Sequence, residues 1–92
     1  MDEVVWTNRA RRNLNDIGEY IAQDDPAAAQ WTIRRIVEQV AALTFYPRIG
    51  REGRVENTRE LVIADTPYIA VYRIIERIEI LLIRHAAQQW PE

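Results

Sequence analysis

The run Glu60-Leu61-Val62-Ile63-Ala64-Asp65-Thr66-Pro67-Tyr68-Ile69-Ala70-Val71-Tyr72-Arg73-Ile74-Ile75-Glu76-Arg77-Ile78-Glu79-Ile80-Leu81-Leu82-Ile83 decides the fold. Glu60 to Ile63, Tyr68 to Ile75 and Ile78 to Ile83 are rich in β-branched and aromatic residues. Such side chains suit the pleated, half-buried surface of a strand. Ala64-Asp65-Thr66-Pro67 separates the first segment from the second as a turn. Only Glu76-Arg77 stands between the second and third, which predicts a tight hairpin. These last two segments are nearly continuously apolar, so they read as central strands with both faces at least partly covered.

Working back from this block, Pro47-Arg48-Ile49-Gly50-Arg51-Glu52-Gly53-Arg54 is polar and turn-rich and reads as a loop. Before it lie two helical patterns. Ala10, Leu14, Ile17 and Ile21 recur at spacings of four, three and four, the signature of one helix face, and Thr7 can cap that helix. Ala29, Ile33, Ile36, Val40 and Leu43 form a second stripe. Asp25 is its natural N-cap, and Pro26 suits the first helical position, where no backbone N–H is needed. This helix should end before Pro47. The short link between the two predicts an antiparallel helical hairpin. Glu3 to Trp6 reads as a first strand, and Arg84 to Glu92 as a tail with room for a single helical turn. The order is β-α-α-β-β-β, an α+β fold with the helix hairpin on one face of a small antiparallel sheet, in one domain spanning 1–92.

Composition narrows the function. The net charge is −2, which argues against broad electrostatic binding to nucleic acid. All 12 cations are arginine. Arginine recognises carboxylate and phosphate through its planar fork but is a poor proton-transfer group. A GC-rich genome would produce the same bias. There is no cysteine, one histidine and no spaced carboxylate cluster, so neither a metal site nor a cofactor is expected. Gly50 and Gly53 follow a helix rather than join a strand to one, so they make no nucleotide-binding fingerprint. The N-terminus lacks a leader pattern and no apolar run is long enough to span a bilayer, so the chain reads as soluble and cytoplasmic.

Several side chains invite a functional reading. Arg48, Arg51, Arg54 and Arg59 fall close together, interleaved with Glu52, Glu56 and Glu60. They form either a recognition surface or a self-paired charge network that fixes the loop. Arg84, His85, Gln89 and Trp90 give the tail a mixed polar and aromatic surface, on which Trp90 is either a binding anchor or a lid on the core. Trp31 lies beside the apolar stripe of its helix, where it can meet a partner's helix. Trp6 is assigned to structure. His85 is the one candidate for proton transfer, although a lone histidine at a strand end more often caps or packs.

The ordered set Gly50-Arg51, Gly53-Arg54, Arg59-Glu60-Leu61, Pro67-Tyr68, Tyr72-Arg73, Ile78-Glu79-Ile80-Leu81, His85 and Trp90-Pro91 resembles the RelE/ParE toxins of type II toxin–antitoxin systems, in particular the ParE branch. The likeness runs over essentially the whole chain; the Glu76-Arg77 turn is a residue or two shorter than the pattern. It implies a growth-arresting toxin encoded beside an unstable antitoxin, as in plasmid stabilisation. The antitoxin would be a ParD-like ribbon-helix-helix protein, with which the toxin would repress its own promoter. The ParE branch implies DNA gyrase as target without cleavage chemistry, and contact with DNA only through the antitoxin or the gyrase complex. The RelE branch implies ribosome-dependent mRNA cleavage instead. Its nucleases resemble one another in placing cations on the middle strands, where this chain has Glu60, Val62 and Ala64, and a tyrosine or histidine near the C-terminus. On the cleavage reading His85 is the acid or base, with Arg51, Arg54 and Arg59 on phosphates. On the ParE reading, Arg51, Arg54, Arg59, Arg84, His85, Gln89 and Trp90 are contacts for target or antitoxin, and Trp31 lines an antitoxin groove. A non-toxic antitoxin-binding protein is the third alternative.

Overall fold

The computed structural model describes residues 2–91. Strand β1 (Val4–Trp6) leads into helix α1 (Asn8–Ala22), which turns into helix α2 (Pro26–Ala41) and a short 3-10 turn, Ala42–Thr44. Strands β2 (Arg51–Glu52), β3 (Arg59–Val62), β4 (Tyr68–Ile74) and β5 (Ile78–His85) follow. The sheet order is β1-β5-β4-β3-β2. The helical hairpin packs on one face of it.

Both helix starts form as their sequence dictates. The Thr7 hydroxyl accepts from Ala10 N at 3.1 Å, and the Asp25 carboxylate accepts from Ala28 N at 3.0 Å. Each satisfies an otherwise orphaned backbone donor. Thr7 does more than cap. Its hydroxyl also lies 2.8 Å from Ile80 O, and its N–H donates to the same carbonyl, so the start of α1 is fastened to β5. Ile36, Val40 and Leu43 are fully buried on the sheet with Leu61, Ile63, Ala70, Tyr72, Ile78 and Ile80. Burying each of these large aliphatic side chains contributes about 1.5–3 kcal/mol.

The sheet departs from a purely antiparallel one. β1 runs parallel to β5, with Val4, Val5 and Trp6 opposite Ile78, Glu79 and Ile80. The loop expected over 47–54 contains the edge strand β2, which pairs antiparallel with β3. The connection from β1 to its neighbour β5 is a long crossover through both helices rather than a hairpin, and such a crossover permits parallel pairing. β5 also continues two residues beyond Ile83, and among the described tail residues there is a turn but no helix. Glu92 lies outside the described residues.

The β4–β5 pairing carries a register shift between Val71 and Tyr72. Val71 opposes Leu82, but Tyr72 opposes Ile80, so Leu81 is extra on β5. Side chains alternate between faces along a strand, and an extra residue resets that alternation. The bulge lets both Ile80 and Ile83 face the helices. It also turns Leu82 and Arg84 to the opposite face, beside Val71 and Ile69.

Candidate functional site

The face away from the helices would normally be solvated. Here its centre, around Ile69, Val71 and Leu82, is buried and carries a buried charge pair. Glu60 on β3 is 2% exposed and Arg84 on β5 is 3% exposed. Glu60 Oε1 lies 3.1 Å from Arg51 Nη2 and 3.6 Å from Arg84 Nη2. Its Oε2 accepts from Arg54 N at 3.2 Å. Burial pushes the Glu60 pKa up, but the Arg54 N–H, the Arg51 fork and the Arg84 charge together outweigh burial and hold the carboxyl below its ordinary range. Glu60 is therefore an anchored carboxylate and unsuited to donate a proton near neutral pH.

The tail folds over this same face. Arg84 Nη1 donates to the carbonyls of His85, Ala86 and Gln88 at 3.3, 3.5 and 3.1 Å. Arg54 Nη1 donates to Trp90 O at 3.0 Å. The Arg9 guanidinium stands 6.0 Å from the centre of the Trp90 ring. Trp90 is half-buried, while Gln89 is exposed. Arg84 was expected at the surface as a contact residue. It is instead buried, because the bulge turns it inward and its three carbonyl acceptors belong to the tail that covers it.

His85 is one residue further along β5 and so points to the helix side. Its ring meets Tyr68 edge-on at 5.5 Å, and its Nδ1 accepts from Ala87 N at 3.0 Å. It has no carboxylate partner in the described ion pairs. The sheet thus stands between His85 and the group formed by Arg51, Arg84 and Glu60.

Arg59 is also separated from that group. It lies on the helix side next to Tyr72 and donates to Gly50 O at 2.7 Å and Arg48 O at 3.2 Å. The Tyr72 hydroxyl accepts from Gly50 N at 3.0 Å and donates to Pro47 O at 2.7 Å. A side chain at position 50 would bring its Cβ within 2.7 Å of the Tyr72 ring, which is why this position is glycine. Burial raises the Tyr72 pKa, partly countered by the Gly50 N–H and by Arg59 and Arg48. Tyr72 was read as a strand residue within the family pattern, with no role of its own; a buried tyrosine whose hydroxyl needs partners is the signal that could have revealed its role as the loop's anchor.

Trp31 stands apart from all of these, on the outer side of α2. It is 45% exposed and its ring lies 5.7 Å from the Arg35 guanidinium. Arg35 in turn pairs with Asp65 at 3.1 Å. Among the described residues no helix is long and apolar enough to cross a membrane, and no three metal-ligating side chains come together.

The family described as ParE toxin of the type II toxin–antitoxin system parDE matches residues 4–90. The protein Y4kP of Sinorhizobium fredii is 55% identical over 97% of this chain and 93% of its own length. Toxin RelE2 of Caulobacter vibrioides is 39% identical over 96% of this chain and 99% of its own. Among solved structures, the chromosomal ParDE toxin–antitoxin system of P. aeruginosa superposes with a TM-score of 0.83 at 30% identity, covering 92% of this chain and 96% of the other. The toxin–antitoxin complex RelBE2 of Mycobacterium tuberculosis gives 0.64 at 25% identity, covering 91% and 96%. Match along nearly the entire length, with the same helix hairpin on the same sheet, shows that this chain belongs to the ParE toxin family of type II toxin–antitoxin systems.

Proposed function

We propose that this toxin arrests growth by binding DNA gyrase in the cytoplasm rather than by cleaving RNA, and that a ParD-like ribbon-helix-helix antitoxin silences it. One observation carries the non-enzymatic reading: the sheet stands between the sole histidine and the Glu60–Arg51–Arg84 group. RNA cleavage without metal needs a base at the 2′-hydroxyl and an acid at the leaving oxygen, both within hydrogen-bond reach of one phosphate. His85 and Glu60 do not share a face, and the arginines hold Glu60 ionised. The match to the parDE description and the fold of the ParDE system support gyrase and a ParD-like partner. Two relatives bear RelE names, which keeps RNA cleavage as the competing reading.

The test is to induce the chain alone in a bacterium and follow DNA and protein synthesis by pulse labelling over the first minutes. Early arrest of DNA synthesis with continuing translation is expected, together with loss of supercoiling by purified gyrase. His85→Gln should remain toxic. Early arrest of translation, abolished by His85→Gln, would overturn the reading in favour of an mRNA interferase. Growth without arrest would leave an antitoxin-binding protein with no toxicity of its own.

A further inference from the structure

Apolar side chains scattered singly over a surface need no explanation, but a contiguous group does. One such group runs from the end of α2 into the loop. Helical hydrogen bonding continues past α2 to Tyr46, whose N–H donates to Ala42 O at 3.1 Å. Val37, Ala41 and Phe45 therefore keep a spacing of four along one row, and all three are exposed. In the turn that follows, Ile49 N donates to Tyr46 O at 3.2 Å, and Tyr46 and Ile49 border one hollow. Phe45 and Tyr46 are each 65% exposed, Ile49 61% and Val37 42%.

The strip has the area of an interface centre. An aromatic side chain carries about 150–250 Å² and an aliphatic one somewhat less, so the exposed apolar surface is on the order of 400 Å². A standard interface takes about 800 Å² from each partner, a little over half of it apolar.

The charges around the strip say what faces it. In chain order Arg34 and Glu38 come before Ala41 and Phe45, and Arg48 and Glu52 come after. All four charged side chains are exposed, and none takes part in the described ion pairs. The signs run plus, minus, apolar, plus, minus. Reversed, that order is its own opposite at every charged position. On a second copy laid antiparallel, Arg34 meets Glu52, Glu38 meets Arg48, and Phe45 meets the small Ala41. A nucleic acid or an acidic segment would instead bring negative charge against Glu38 and Glu52.

We propose that this strip joins two copies of the chain about a two-fold axis passing between Ala41 and Phe45. Each copy contributes the same residues, as a two-fold interface requires. The apolar centre leaves water, and the four charges of each strip gain partners on the other. The inference does not depend on the target of the toxin.

Sedimentation velocity on the purified full-length toxin, over a dilution series from micromolar to submillimolar concentration, reads the mass directly. A reversible monomer–dimer equilibrium with a dissociation constant in the micromolar range is expected. Phe45→Ser and Glu38→Arg should each weaken it about tenfold or more, with thermal midpoints unchanged at concentrations where the protein is monomeric. Combining Glu38→Arg with Arg48→Glu restores opposite signs across the axis and should recover most of the affinity, which damage to the fold by either change would not. A chain that stays monomeric throughout the series would overturn the proposal. If Phe45→Ser in that monomer weakens binding of the cognate antitoxin or of gyrase, the strip belongs to that partner instead. A dimer indifferent to both single changes would use another surface and would equally overturn it.

Discussion

Glu60 and Arg84 lie two strands apart, on β3 and β5, opposite Val71 and Ile69 of β4 in turn, yet meet across β4 as a buried pair with 3.6 Å between Oε1 and Nη2. Both belong to the covered second face of the sheet. Between them they hold the β2 edge, through Arg51 and Arg54, and the C-terminal tail, through its carbonyls. One ion pair thus helps fasten both the β2 edge and the C-terminal tail to the sheet.

Removing one partner leaves the other charge buried. Glu60→Gln should destabilise the chain by about 3 kcal/mol or more, a large share of what a small domain has. Replacing both residues with methionine should recover much of that loss. Urea denaturation of the single and double variants measures this; equal, additive losses would show that the two charges do not depend on each other.

The same residue sets an acid limit. Glu60 has a lower pKa in the folded chain than in the unfolded chain, so the unfolded state takes up its proton first. Its contribution is complete above the ordinary carboxylate range and is lost as pH falls through the lowered folded value. Stability of the wild type should therefore decline more steeply on acidification than that of Glu60→Gln. Denaturation midpoints across the acid range give the comparison. Glu79 shifts in the same direction, through hydrogen bonds from Arg73 and then Arg77, but at the surface, where salt should screen it.

Tyr72→Phe removes the hydroxyl that bridges Gly50 N and Pro47 O. Gly50 N would remain buried without its partner, at a cost of about 1–3 kcal/mol. The loop carrying Arg48, Arg51 and Arg54 should then open locally. Trypsin at native conditions would cut it faster in the variant, and unchanged cleavage would mean that Arg59 alone secures the loop.

Thr7→Ala removes a helix cap and the tie from α1 to β5 together. Caps alone are worth about 0.5–2 kcal/mol, so the loss should reach the upper end of that range. Thr7→Ser should restore most of it, since serine keeps the oxygen. A thermal unfolding series over the three proteins resolves the difference.

Local pattern made much of this legible. The spacing of Ala10, Leu14, Ile17 and Ile21, the Asp25-Pro26 start and the Glu76-Arg77 turn each state their own conformation, because caps, turns and periodicity act over a few residues. The fold and the helix-facing core followed. Trp31 was legible as a tryptophan off the stripe, and it is indeed exposed. Position in three dimensions was not. The bulge at Val71–Tyr72 depends on how two strands fit against one helix pair, and it alone decides that Arg84 turns inward.

The sequence by itself therefore determined every element but the short edge strand β2, together with the order of the rest, the helix hairpin and the pairing of the last strands, since these rest on short-range propensity and apolar periodicity. It also determined that arginine would be the one cation available. The tertiary structure decided the parallel edge strand, the fate of each arginine and the separation of His85 from Glu60. Those outcomes hinge on face and register, and a single extra residue on β5 exchanges the two faces of a sheet.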